Sequence, residues 1–294
     1  MSRPSERGVA LVAALGALTV LSAIATSLAT TARLERGLAR HAVAAAQADA
    51  LLRSGVAAAA VVLGETAADG APDTLAARWA ADAGRQRLGA GWVEVRIEDE
   101  ARRIDLGSAA LAPALARLAA ARGLDPAVAD AIADWVDADD VPRPRGAERD
   151  AYGRGPGCGP RNAPFASLDE VARVRGIDAA ALARLAPFVT TAGEHVVNPN
   201  TASPEVLAAV LGDAVAARVV AARTRAPLDA AAIDALVGDL PPGTRALLAP
   251  RGQRYRVSVT AQVGDETRAV EATLWAPPGA DPEVVAWRPL VTPP

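Results

Sequence analysis

From Val9 to Ala32 the chain carries no charged residue, and from Val9 to Leu63 it carries no proline. The 24 residues of the uncharged run, rising about 1.5 Å each, span roughly 36 Å as a helix, enough to cross a hydrocarbon core of about 30 Å. The helical pattern continues past the run. Leu34, Leu38, Val43, Leu51, Leu52, Val56, Val61 and Leu63 recur among alanines. Gly37 and Gly55 weaken such a helix by about 1 kcal/mol each without breaking it. A transmembrane helix over 9–32 is therefore expected to continue over 33–64 in water, and the remaining chain has to fold around that rod.

Residues 1–8 are a short polar leader with Arg3 and Arg7, which favours an amino end on the cytoplasmic side of the membrane, although Arg33, Arg36 and Arg40 blunt the asymmetry. A cleavable secretory signal is the competing reading, because Ala23-Ile24-Ala25 has the small-x-small pattern of such sites. A plain anchor is a third. A secretory signal gives way to a turn at its cut, whereas this helical pattern runs on.

Composition narrows the function classes. The hydrophobic share of 51% is largely alanine and the aromatic share is only 3%, which favours closely packed helices over a wide β-sandwich. All 31 basic residues are arginine and the net charge is −3, so a P-loop lysine, a Schiff-base lysine and a polybasic nucleic-acid tail are excluded. A single cysteine, Cys158, excludes an intramolecular disulfide framework. His41 and His195 stand far apart in sequence, and no G-x-S-x-G, H-E-x-x-H or G-x-G-x-x-G signature occurs. These absences argue against an enzyme. Trp79, Trp92 and Trp135 are expected to anchor a core.

Strand patterns flank a long helical stretch. Gly91–Ile97 alternates apolar and charged residues, with Arg103–Leu106 as an expected return strand. Tyr255–Ala261 and Arg268–Trp275, joined through Gly264-Asp265-Glu266, form a hairpin candidate. A hairpin alone is marginal, so these segments are expected to join one sheet on the long helix, with 65–108 as its first part and 249–276 as its second. Residues 109–248 then form an inserted α-helical domain. The tail 277–294 is proline-rich with little regular pattern apart from Val284–Trp287. The fold class is α+β.

The insert repeats itself. Arg122-Gly123-Leu124-Asp125 and Arg175-Gly176-Ile177-Asp178 each sit between two helical segments, and Leu211-Gly212-Asp213 is a looser copy. Glycine ends the first helix in the left-handed conformation and aspartate caps the second. Such hairpins are similar to helix-hairpin-helix modules, which raises an alternative function, a membrane-anchored DNA-binding protein of a competence or type IV pilus system. Asp178 at a phosphate-facing turn repels DNA and the net charge supplies no compensating field, so nucleic acid is an unlikely partner.

Asp137, Asp139, Asp140 and Glu148 crowd one loop at a helix end. Hard oxygen donors of this kind suit calcium, although Val141 and Pro142 exclude an EF-hand. The alternative is a solvated turn whose acids pair with Arg143, Arg145 and Arg149.

Three features together carry a family resemblance. Asp134-Trp135-Val136-Asp137-Ala138-Asp139 with Gly146-Ala147-Glu148 and Tyr152, then Arg161–Glu170, then Pro187–Thr190 with Val197–Ala202, resemble general secretion pathway protein K, a minor pseudopilin of type II secretion systems. Arg7-Gly8/Val9 resembles a prepilin peptidase site, and Ala13 stands at the fifth mature position, where pseudopilins other than protein K have Glu. That Glu neutralises a neighbouring amino-terminal ammonium inside an apolar bundle. The resemblance implies a pilin-like fold with a helical insert, cleavage between Gly8 and Val9 with methylation of the new amine, and a place at the pseudopilus tip. It also implies calcium in the acidic loop and, as partners, minor pseudopilins I and J, other pseudopilins, the peptidase and the inner-membrane assembly platform.

Overall fold

A computed structural model describes residues 5–153 and 159–291; Cys158 lies outside them. Helix α1 runs unbroken over Ser5–Ala68, four residues past the expected end at 64. Pro72, with the left-handed Gly70 before it, follows its end. Its apolar first half is unburied among the described residues, while Ala48, Leu52, Val56, Ala59 and Leu63 form a buried stripe at helical spacing. That stripe lies on a five-stranded antiparallel sheet of order β1-β2-β5-β6-β7, comprising β1 (Arg85–Leu88), β2 (Gly91–Asp99), β5 (Arg254–Val263), β6 (Glu266–Trp275) and β7 (Glu283–Leu290). Tyr255, Val257, Val259, Ala261 and Val263 alternate toward the helix. Gly55 permits the close approach, because a Cβ there would lie 2.7 Å from Val259 Cγ1.

The chain leaves the sheet after Asp99 and returns at Arg254, and Asp99 pairs in register with Tyr255 on the adjacent strand. The helical insert therefore hangs from two neighbouring strand ends. Its helices are α2 (Ala112–Ala121), α3 (Val128–Val136), α4 (Ala179–Leu185), α5 (Pro204–Leu211), α6 (Asp213–Arg223), α7 (Ala230–Val237) and α8 (Pro242–Arg245). They enclose a second hydrophobic core, separate from that of the sheet, around Leu111, Leu118, Ile132, Leu185 and Leu207. Gly123, Gly176 and Gly212 all take positive φ at the repeated turns. Asp178 caps α4 through Ala181 N at 2.7 Å, whereas Asp213 is the first residue of α6 and leaves capping to Gly212.

Four expectations need correction. Ile104–Asp105 (β3) does not return along β2; it pairs in parallel with Val189–Thr190 (β4) inside the insert, so its apolar residues join the helical core. Residues 283–290 of the tail form a strand on β6, every residue exposed, with an irregularity opposite Thr273/Leu274. Trp92 is 43% exposed beside Arg87 rather than buried, because it sits on the face of β2 away from α1. Trp79 and Trp135 are core residues, as expected. The helical segment expected before Arg175, near 167–174, is a 3-10 helix over Leu168–Arg173 rather than an α-helix.

Candidate metal loop and its surroundings

Helix α3 ends at Val136, and the loop beyond it folds back so that Glu148 returns beside the helix end. Three acids meet there: one carboxylate oxygen from each of Asp137, Asp139 and Glu148 lies within 4.8 Å of the others. Asp140 is not in the group; its Oδ1 accepts a hydrogen bond from Asn162 Nδ2 at 3.1 Å, and the same amide donates to the Asp139 carbonyl. Asp134, buried on the last turn of α3, completes the acidic surroundings. Gly146 makes the fold-back feasible, since a Cβ there would lie 1.8 Å from Asp134 Oδ2.

The arginines divide unequally. Arg143 bonds Asp134 Oδ1 at 2.7 Å and also donates to Asp137 Oδ2. These bonds raise its own pKa, the one to Asp137 most. Arg145 turns to Asp125 and Asp130 at 3.8 and 3.9 Å, and no ion pair of Arg149 occurs among the described residues. The solvated-turn expectation thus holds for Arg143 alone. Glu148 is 6% exposed, and neither of its carboxylate oxygens has a hydrogen-bond partner among the described residues; Asp137 Oδ1 is likewise buried and unpartnered there. Burial, then the charges of Asp134, Asp137, Asp140 and Asp139, push the Glu148 carboxyl up to about 7.

Carboxylate oxygens that are buried, mutually repelling and without donors fit a hard cation. Asp137, Asp139 and Glu148 would hold it, each through one carboxylate oxygen. Residue spacing disclosed Asp137, Asp139 and Glu148, but not Asp134, which reads in sequence as one more acid on a helix. Trp135 backs the loop, packing edge-on against Tyr152 at 5.5 Å and stacked on Phe165 at 6.3 Å.

Gly8, Val9 and Ala13 lie on the exposed, apolar start of α1. That helix is long and apolar enough to cross a membrane, which fits a single-pass anchor.

Residues 99–194 match the family model described as type II secretion system protein K. This stretch contains the acidic loop and the first motifs on which the resemblance rests. None of the curated proteins compared matches the chain. Among solved structures, the chain is similar to one from the GspK-GspI-GspJ complex of the enterotoxigenic Escherichia coli type 2 secretion system. The TM-score is 0.70 at 18% identity, covering 86% of this chain and 99% of that one. That similarity supports the pilin-like α+β fold.

Proposed function

We propose that this chain, similar to protein K of type II secretion systems, is a minor pseudopilin placed at the tip of a periplasmic pseudopilus. There it starts assembly with partners of the I and J type for protein export across the outer membrane. The observation that carries the reading is the splice: a pilin-like helix and sheet with a second, helical body inserted between two adjacent strand ends. A body of that size is hard to repeat at every step of a tightly wound shaft. Ala13 points the same way. Without a carboxylate at that position, joining behind another subunit would bury an ammonium unpaired, whereas at the tip no subunit lies ahead. The chain is an assembly component with no catalysis of its own, anchored by α1 with its amino end in the cytoplasm.

Processing falls between Gly8 and Val9 in this reading, by a prepilin peptidase, with methylation of the Val9 amine. Intact-mass analysis of membrane-extracted protein is expected to show loss of residues 1–8; a cut near Ala25 would establish an ordinary secretory signal instead. The acidic loop binds calcium through Asp137, Asp139 and Glu148, with Asp140 in the outer surroundings. Calcium there supplies charge neutralisation and a fixed loop rather than chemistry on a substrate. Immunogold labelling of sheared pseudopili tests the tip assignment. Label at one end only is expected; label spaced along the shaft would overturn it.

A further inference from the structure

A second pair of buried acids sits where the insert meets the sheet. Asp99 closes β2 and is fully buried. Its Oδ1 accepts from Ala101 N at 2.8 Å, and its Oδ2 accepts from Asn198 Nδ2 at 2.9 Å and Thr201 Oγ1 at 2.7 Å. Asn198 and Thr201 belong to the insert, so this one carboxyl ties the insert to the sheet. Asn198 Nδ2 also donates to the Asp73 carbonyl at 3.2 Å, and Asn198 N donates to the Ala101 carbonyl at 2.8 Å. The Asp73 carboxylate, also buried, accepts from Trp79 Nε1 at 3.0 Å and from the Tyr255 hydroxyl. Gly252 lets the two strands close over the joint, because a Cβ there would lie 2.3 Å from Asp99 Oδ1.

One guanidinium faces this pair, on the Asp73 side, and its charge favours the ionised carboxylate there against the effect of burial. Arg251 Nε lies 3.9 Å from Asp73 Oδ2 without a hydrogen bond. In the cleft that reaches Asp99, Arg102 is taken up by Glu98 at 3.4 Å, and Arg96 lies 3.9 Å from Asp82 and 3.8 Å from Glu94. On the insert side Glu194 adds negative charge, its carboxylate accepting from Gln253 N at 2.8 Å. Burial pushes Asp99 up to about 7, with the Asp73 charge adding to the rise and the Thr201 and Asn198 bonds opposing it. Asp73 is raised as well, first by burial. The Thr201 hydroxyl can accept from a protonated Asp99 as readily as it donates to an ionised one, so the joint tolerates both states. In the doubly ionised state the Asp73 charge acts on a fully desolvated Asp99 carboxylate, and Asn198 Nδ2 bridges Asp99 Oδ2 and the Asp73 carbonyl.

We propose that the Asp73–Asp99 pair is a pH-gated latch that sets how firmly the helical insert is held on the sheet, closed while the pair keeps a proton and loosened once both carboxyls are ionised. The latch concerns the joint alone and does not rest on the assembly reading above. The sign follows from linkage. A carboxyl bound more tightly to its proton in the closed joint stabilises closure fully below the ordinary carboxyl range, and that stabilisation is lost as pH rises through about 7. Between pH 6 and 8 the opening equilibrium then shifts by about tenfold and flattens above.

Amide hydrogen exchange on the full chain in detergent micelles, corrected for the intrinsic rate at each pH, reads this directly. Protection over residues 197–202 is expected to fall about tenfold from pH 6 to pH 8, while the β5–β6 amides hold. Asp99→Asn should remove most of that response, and Asp73→Asn, which keeps the Asp99 ties, should reduce it. Equal protection at the two pH values in the unmodified chain would overturn the latch. So would a response of the same size in β5–β6, or one that persists in both variants.

Discussion

Asp99 and Glu148 are both carboxyls almost out of contact with solvent and both lifted to about 7, yet their oxygens meet opposite surroundings. Every oxygen of Asp99 accepts a hydrogen bond from a backbone or side-chain donor. Among the described residues neither oxygen of Glu148 accepts any, and Asp137 Oδ1 beside it is also bare. The first arrangement is complete within the chain and joins two bodies. The second lacks donors among the described residues, an arrangement that a hard cation would complete. Burial and a raised carboxyl are therefore shared by a joint and a candidate ligand site; the count of donors separates them.

The contrast can be broken from either side. The largest effect is expected from Gly146→Ala. Its methyl would collide with Asp134 and force the metal loop off the end of α3, costing about 3 kcal/mol in denaturant unfolding and removing any calcium response. Asn198→Ala should come next, at about 2 kcal/mol, because it strips a donor from Asp99 and one from the Asp73 carbonyl. Glu148→Gln is expected to act in the opposite direction. Without calcium it relieves repulsion among four neighbouring acids and raises stability by about 1 kcal/mol at pH 8, measured in the same denaturant titration. A loss of stability in Glu148→Gln without calcium would mean that its carboxylate has donors after all, and would erase the difference between the two clusters.

The legible parts of the molecule were those with strong local periodicity. The long rod of α1, the β5–β6 hairpin and the Gly–Asp turns at 123–125 and 176–178 all follow from residue spacing. The meeting of Asp137, Asp139 and Glu148 was legible because the three acids are close in sequence. Strand β1 was not, since Arg85–Leu88 is a short polar edge with no alternation to read. Strand β7 hid in a proline-rich tail and is held only by pairing with β6. The parallel pairing of Ile104–Asp105 with Val189–Thr190 is non-local, and so is the meeting of Asp73, Asp99, Asn198 and Thr201. Nothing in the neighbourhood of any one of those residues marks them as a group. Only the folded chain assembles the joint.

Thermal unfolding of the full chain in detergent, in millimolar calcium and in chelator, tests the central distinction most directly. Binding to the folded state alone at a hundredfold excess over Kd stabilises by about 2.7 kcal/mol, a shift of several degrees in Tm. That shift is expected in the unmodified chain and in Asp99→Asn, and it is expected to vanish when Asp137→Ala is combined with Glu148→Gln. An unmodified chain that melts at the same temperature with and without calcium, or a shift that survives the paired substitution, would contradict the account.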